Sequence, residues 1–342
     1  VEIFPAVGIG DAALVAAVNH PGMHLVAQTA RVEQAGRHIL GIRERRGETV
    51  APDVQQLVAI AELKVEDIAN WRRERLGDGS TLSDNAVFSS LVRGFFSEPR
   101  NDAARWQINN WLATMQSAYQ YDSIYLVDAG GAVRLVVKGG SFSIESHIPK
   151  YLEDVRASVK VILSDFHRET ENGPIHLSVI APLSDSAGKA APFGYVIMVI
   201  DPSMYLYPMI TRRPVPSRTA ETLLVRRDGD DALFLNELRF KKNTALKLRI
   251  PLAKIETPAV MAVLGREGVL DGIDYRSVPV IAAIKTIPDS PWHLVARVDV
   301  QEVYEPVRER FWFVMVMMIG LIAGSGAGTW LLWRRQSERD LY

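Results

Sequence analysis

The 23 residues at 311–333, FWFVMVMMIGLIAGSGAGTWLLW, carry no charge. As a helix rising about 1.5 Å per residue they reach roughly 34 Å, enough to cross a hydrocarbon core of about 30 Å. Phe311, Trp312 and Phe313 mark one end, and Trp330 and Trp333 the other, where amphipathic rings favour the headgroup level. Arg308, Glu309 and Arg310 stand just before the run, with Arg334 and Arg335 just after it. A core helix of a water-soluble protein rarely runs this long without a charge. The stretch is expected to be a transmembrane helix, which makes the 310 residues before it a body tied to a bilayer.

That body has ordinary globular composition. The chain is 23% charged and 48% hydrophobic, with a formal net charge of -1, and lacks the basic face of a nucleic-acid binder. A length of 310 residues exceeds what one core usually serves, so two domains are expected. Cysteine is absent, which excludes disulfides, thiolate metal sites and cysteine nucleophiles and leaves the compartment open. Arg334, Arg335 and Arg339 outweigh Arg308 and Arg310, so the positive-inside rule leans toward a cytoplasmic C-terminus. An exported body needs a signal peptide or a first span. Val1–Val50 is interrupted by Asp11, His20, Pro21, His24 and Arg31 before any apolar run reaches that form. The residues alone leave two readings: a segment precedes Val1, or the body stays inside.

Residues 1–51 read as a leader of unclear structure. GIGDAA at residues 8–13 has the spacing of a dinucleotide turn, but the candidate second strand ends in Gln28, where an acid should hold a ribose. No cofactor is expected. From Pro52 the pattern sharpens: Val54, Leu57, Val58, Ala61, Val65, Ile68 and Trp71 recur at helical steps. They predict one long amphipathic helix over 52–76, closed by Gly77-Asp78-Gly79. Shorter helices are predicted at 84–96 and 101–119. A hairpin turns at Ala129-Gly130-Gly131, a helix spans 148–164, and two β-rich runs, HLSVIAPL and FGYVIMVID, flank the polar loop 184–192. The pattern then repeats in reduced form. A second hairpin turns at 228–231, a short helix covers 258–264, and strands follow at 272–275, 278–287 and 293–298. Residues 300–310 are polar and helix-like, with Pro306 as a possible kink before the span. The order describes an α+β chain, a long N-terminal helix followed by two antiparallel-sheet modules.

LVAIAELKVEDIANWRRERLGD followed by YLVDAGGAVRL resembles the membrane-distal half of the double Cache (PAS-like) extracytoplasmic sensor domains of bacterial sensor histidine kinases. ETLLVRRDGDDALFLNELR and GVLDGIDYRSVPVIAAIKTIPDSPWHLVARVD resemble the membrane-proximal half. The resemblance implies a distal module at 52–210 that includes the long helix, and a proximal module at 211–299. A juxtamembrane helix at 300–310, the span at 311–333 and a cytoplasmic stub at 334–342 complete the division. It also implies a body outside the bacterial inner membrane, a small-molecule ligand, and control of a cytoplasmic kinase or similar output. The first span of that family is not seen before the long helix, and no output domain follows the second, so no kinase activity is implied.

In that family the pocket lies on the distal sheet, which here directs attention to the segment 164–170 and the strand after it. His167 and Arg168 are expected to hold a ligand carboxylate, Asp165 an ammonium, and His176 to stand beside them, so the ligand is a carboxylate or zwitterion. Tyr125 and Tyr195, with Tyr119 and Tyr121, are candidates to line the pocket. The Arg-x-Trp of amino-acid-binding members is absent, because Glu169 and Thr170 follow Arg168. The acidic turn Asp228, Asp230 and Asp231 is too short for an EF-hand and lacks its terminal Glu, so no metal is expected. No HExxH, G-x-S-x-G or P-loop occurs, so the chain reads as a non-enzyme. Gly320, Gly324 and Gly328 form a four-residue repeat on one helical stripe, the pattern of a parallel homodimer contact in lipid. The alternatives are a membrane-tethered scaffold without a small-molecule ligand and a tail-anchored enzyme using the GIGDAA turn.

Overall fold

A computed structural model describes residues 52–138, 148–158, 160–168, 170, 173–184, 191–213 and 216–339. The leader, including GIGDAA, lies outside the described residues, as does most of the loop 184–192. Helices α1 (Pro52–Ser83), α2 (Ala86–Ser97) and α3 (Asp102–Tyr119) come first. Strands β1 (Ser123–Asp128) and β2 (Val133–Lys138) follow, then α4 (Ile148–Ser158), β3 (Ile162–Leu163), β4 (His167–Arg168), β5 (Ile175–Leu183), β6 (Gly194–Ile200) and α5 (Leu206–Thr211). The second half holds β7 (Glu221–Asp228), β8 (Asp231–Phe234), β9 (Arg249–Pro251), α6 (Pro258–Val263), β10 (Gly268–Ile273), β11 (Pro279–Thr286), β12 (Trp292–Asp299) and α7 (Val300–Arg339).

Two antiparallel sheets result. The first has the order β2-β1-β6-β5-β3, with β4 also paired to β5. The second has the order β10-β11-β12-β7-β8-β9. Helix α1 packs on β5 of the first sheet and on β11 and β12 of the second, so one apolar stripe covers both. The residues that predicted that stripe do this work: Val54, Leu57, Ala61, Ile68 and Trp71 are buried in a core shared with Leu126, Val179, Met198, Leu224, Ile281 and Leu294. Each sheet buries its far face separately, the first under α4 and the second under α6.

Several boundaries differ from the sequence pattern, each for a packing reason. Helix α1 does not end at Gly77-Asp78-Gly79 but continues to Ser83. A Cβ on Gly79 would stand 2.5 Å from Val161 and 2.9 Å from Val179, so this glycine permits close approach of helix to sheet. Ser80 and Thr81 donate to the Leu76 and Gly77 carbonyls, and Leu82 is buried. Helix α4 stops at Ser158, and Ile162, which shares its helical period, instead pairs with Ile180 as β3. The segment 164–170 is not all loop, since His167 and Arg168 form β4 opposite His176 and Ile175. Strand β9 was not visible in the pattern, and β10 starts at Gly268 rather than at 272. Helices α2 and α3 begin as their caps dictate: Asn85 accepts from the Phe88 N–H and Asn101 from the Ala104 N–H.

The polar stretch after β12 and the apolar span form one helix, α7, helical through Pro306. Its stretch Val300–Trp330 is long and apolar enough to cross a membrane, and its apolar window is covered by no other part of the described chain.

Candidate ligand-binding face

Side chains alternate across a strand, so each sheet has two distinct faces. On the first sheet the face away from α1 carries Ser123, Tyr125 and Val127 from β1, Tyr195, Ile197 and Val199 from β6, and His176, Ser178 and Ile180 from β5. Helix α4 closes this face with Ile148, Tyr151, Leu152 and Val155, all buried. The face is graded. Tyr125, Val127, Tyr195, Ile180 and Ile197 form its apolar, aromatic part. Register then sets Ser123 opposite Val199, and Val199 opposite Ser178, so two buried hydroxyls flank one valine. The Ser123 hydroxyl is buried without a hydrogen-bond partner among the described residues, an arrangement that proteins ordinarily avoid.

Beyond the hydroxyls come the imidazoles. His176 is fully buried, and its ring centroid lies 3.9 Å from that of His167 on the paired strand. His167 Nδ1 is 2.8 Å from the Asp165 carbonyl oxygen. A carbonyl can only accept, so this contact places the proton on Nδ1 and leaves Nε2 as an acceptor. Nε2 meets the Tyr151 hydroxyl, which in turn lies 3.5 Å from the Ser178 hydroxyl. Phenol, imidazole and hydroxyl groups thus converge beneath α4.

The expected site residues divide into two groups. Tyr125, Tyr195, His167 and His176 share this face. Asp165 and Arg168, on the same short segment, turn toward the second sheet instead. Asp165 Oδ1 accepts from Trp292 Nε1 at 2.8 Å, and Oδ2 pairs with Arg226 at 3.2 Å. Arg168 donates to the carbonyls of Gly173 at 2.6 Å and Ala245 at 2.9 Å. Tyr121 donates to Asp78 at 2.6 Å on the α1 side, and burial raises its hydroxyl pKa. Tyr119 is half exposed beside Arg75. Tyr151 and Ser178 were not singled out from sequence. Tyr151 follows Ile148 by three residues and precedes Val155 by four, so the helical period of α4 already placed it on the buried face.

The second sheet has a polar patch in the matching place, and its own charges fill it. Arg297 is fully buried on β12 and pairs with Glu221, with Asp274 at 3.1 Å and with Asp299 at 3.1 Å. Arg276 bridges Asp274 and Asp299, and Tyr275 donates to Glu221 at 2.8 Å. The acidic turn is also paired: Asp228 meets Arg249, whose hydrogen bond lowers the carboxyl pKa. Among the described residues no group of three His, Cys, Asp or Glu side chains is placed to hold a metal.

A surface groove of about 630 Å³ lies elsewhere, between α2 and α3, lined by Val87, Leu91, Trp106, Trp111 and Tyr119. It is on the α1 side of the sheet, because α3 packs its Ile108 and Leu112 into the shared core. Of the residues expected from sequence to line the ligand pocket, Tyr119 borders this groove, while Tyr125, Tyr195, Asp165, His167, Arg168 and His176 do not.

No family model matches the sequence, and no match was found among curated proteins. Solved structures are similar in fold. The ligand-binding domain of Mlp24 with asparagine superposes with a TM-score of 0.51 at 13% identity, covering 76% of this chain and 100% of that one. The sensory domain of the Campylobacter jejuni chemoreceptor Tlp3 (CcmL) gives 0.52 at 8% identity, covering 73% and 95%. The long helix, the two tandem antiparallel sheets and these superpositions together define the double Cache sensor-domain fold that the sequence resembles.

Proposed function

We propose that this chain is the membrane-anchored input part of a bacterial receptor, binding a small molecule outside the inner membrane and signalling across it. The observation that carries the reading is a continuity: β12 ends at Asp299 and α7 begins at Val300, so a strand of the second sheet passes without a linker into a membrane-length helix. Any shift of that sheet is delivered to the helix. On this reading 52–210 is the distal module, 211–299 the proximal module, 300–310 the juxtamembrane helix, 311–333 the span and 334–342 a cytoplasmic stub. The output is a histidine kinase or similar signalling domain. The role is binding rather than catalysis.

The ligand site is the α4 face of the first sheet. Tyr125 and Tyr195 supply ring contact, and Tyr151, Ser178, His167 and His176 supply hydrogen bonds. The equivalent patch of the second sheet is already neutralised by Arg297, which favours the distal module. Asparagine is the ligand in the Mlp24 structure, so amino acids and small carboxylates are the first probes. The purified chain in lipid nanodiscs should gain melting temperature with one of them, saturably, as mass action requires. Tyr195→Ala should abolish that gain. If no probe shifts melting, or if the gain survives Tyr195→Ala, this site is wrong. A reporter active only in the periplasm, fused near Asn172 in the full-length receptor, should give signal; cytoplasmic activity instead would overturn the topology.

Gly320, Gly324 and Gly328 keep one side of α7 free of side chains, and a Cβ at any of them would meet nothing within 4 Å in a single chain. This stripe is the proposed crossing point of a parallel homodimer, since close backbone approach is a main source of helix attraction in lipid.

A further inference from the structure

Residues 165–168 carry side chains that face the candidate site and side chains that face the second sheet, on adjacent positions. His167 points to the α4 face, against Tyr151 and His176. Its neighbour Phe166 points the other way, into the core under α1. There its ring lies 4.9 Å from Trp292 and stacks on Tyr207 at 6.1 Å with an interplanar angle of 2°. Asp165 takes the Trp292 N–H and pairs with Arg226, while Arg168 reaches the Ala245 carbonyl. Phe166, His167 and Arg168 are consecutive on one backbone, so a shift of the strand at His167 carries both neighbours with it.

Trp292 is the first residue of β12; it pairs with Arg226 of β7, and its carbonyl accepts from the Ile287 N–H just past β11 at 3.0 Å. Arg72 of α1 stacks on its ring at 4.6 Å, so the indole is fixed from three directions. The far end of the same strand is Asp299, anchored by Arg297 and Arg276, with its N–H donated to Thr219 at 3.1 Å. Helix α7 starts at the next residue.

We propose that residues 165–168 are the coupling element of this receptor, with His167 as its input and Asp165, Phe166 and Arg168 as positioning residues that hand the state of the α4 face to Trp292 and so to α7. The proposal rests on the sensor reading only in naming the input. Its two states are the Tyr151–His167 contact made and broken, as when a ligand takes over that hydroxyl. A coupling needs a demonstrated response at the second place, not a path of contacts alone.

The test therefore uses no ligand. Hydrogen–deuterium exchange is followed on the full chain in lipid nanodiscs, with His167→Ala perturbing the input. Exchange in β12 and the first turn of α7 should speed up by about five- to tenfold, the range of a modest allosteric coupling. In a Trp292→Phe or Asp165→Asn background the same substitution should add nothing there. If β4 and β5 respond while β12 does not, or if the response keeps its full size in both backgrounds, the proposal is overturned. Trp292→Phe keeps an aromatic six-membered ring but loses the N–H together with the pyrrole half of the indole, and it carries the test should Asp165→Asn fail to fold. Because ligand is absent throughout, a failed probe screen leaves this outcome readable.

Discussion

The far faces of the two sheets occupy matching positions and are finished in different chemistry. Under α6 the second sheet buries an aliphatic cluster built around Leu223, Val225, Ile284 and Val295, and beside it Arg297 is locked to three carboxylates. Between α4 and the first sheet lie three buried tyrosines, two buried serines and the buried His176, with His167 half-buried beside them, groups that form hydrogen bonds without committing a formal charge. A buried ion pair leaves each partner dependent on the other, because an uncompensated charge in the interior is costly. Neutral hydroxyls and imidazoles exchange partners at far lower cost. The comparison assigns fixed pairing to the far face of the second sheet and exchangeable contacts to that of the first.

The largest effect should come from breaking the fixed side. Arg297→Met removes the buried cation from Glu221, Asp274 and Asp299, leaving Arg276 and Tyr275 as their side-chain partners, and should cost about 3–5 kcal/mol in chemical denaturation. A loss below about 1 kcal/mol would show that the network is not the lock described here. Next, Gly79→Ala forces a methyl against Val161 and Val179, and should cost about 1–3 kcal/mol, less the helix propensity that alanine adds. A gain in stability would mean that α1 can lift from the first sheet without penalty. On the exchangeable side, Tyr151→Phe should cost only about 1 kcal/mol, since the hydroxyl it removes has modest net value. A loss as large as that of Arg297→Met would erase the distinction between the two faces.

Two smaller effects are read through pH, at the joints rather than the faces. Burial alone would raise the Glu302 pKa, but hydrogen bonds from Thr219, Arg218 and Ser217 hold it below the ordinary carboxylate range. Its stabilising contribution is present above the unfolded-state pKa and is lost as pH falls through the lower folded value. Glu302→Gln should flatten the acid limb of the stability curve; an unchanged limb would remove Glu302 as a joint. Lys64 on α1 donates to the carbonyls of Met209 and Arg212 at the end of α5, and burial pushes its pKa down to about 8. From about pH 8 to its ordinary value of 10.5, the unfolded chain holds more protons at this position than the folded one. Stability relative to Lys64→Met should therefore rise across that interval. A falling difference would show that the carbonyl contacts outweigh the burial.

Much of the architecture was legible because periodicity reports burial. The stripe from Val54 to Trp71 lies where a 3.6-residue period places it, and both hairpins turn at their glycines, Gly131 at φ 92° and Gly229 at φ 62°. Periodicity failed where a neighbour decides the conformation. Ile162 continues the period of α4 yet is a strand, because Ile180 offers it a ladder. Glycines at 77 and 79 look like a stop, yet the helix runs on because the sheet needs a position without a Cβ. For the candidate site, residue type pointed to a segment but not to which way each of its side chains turns. Asp165 and Arg168 are the charges that a ligand-binding pattern selects, and charge alone cannot say that the partners are Trp292 and Ala245, more than seventy residues away along the chain.

The amino-acid sequence by itself determined the membrane-length helix, the long stripe that covers two sheets, and the absence of thiol chemistry, since each follows from composition or local spacing. Only the tertiary structure decided which face of each sheet holds polar groups and which of them are already paired. Strand register sets that outcome: a shift of one residue exchanges the faces, and register is fixed by contacts between residues far apart in the chain. That is why Phe166 and His167, neighbours in sequence, stand on opposite sides of the same module.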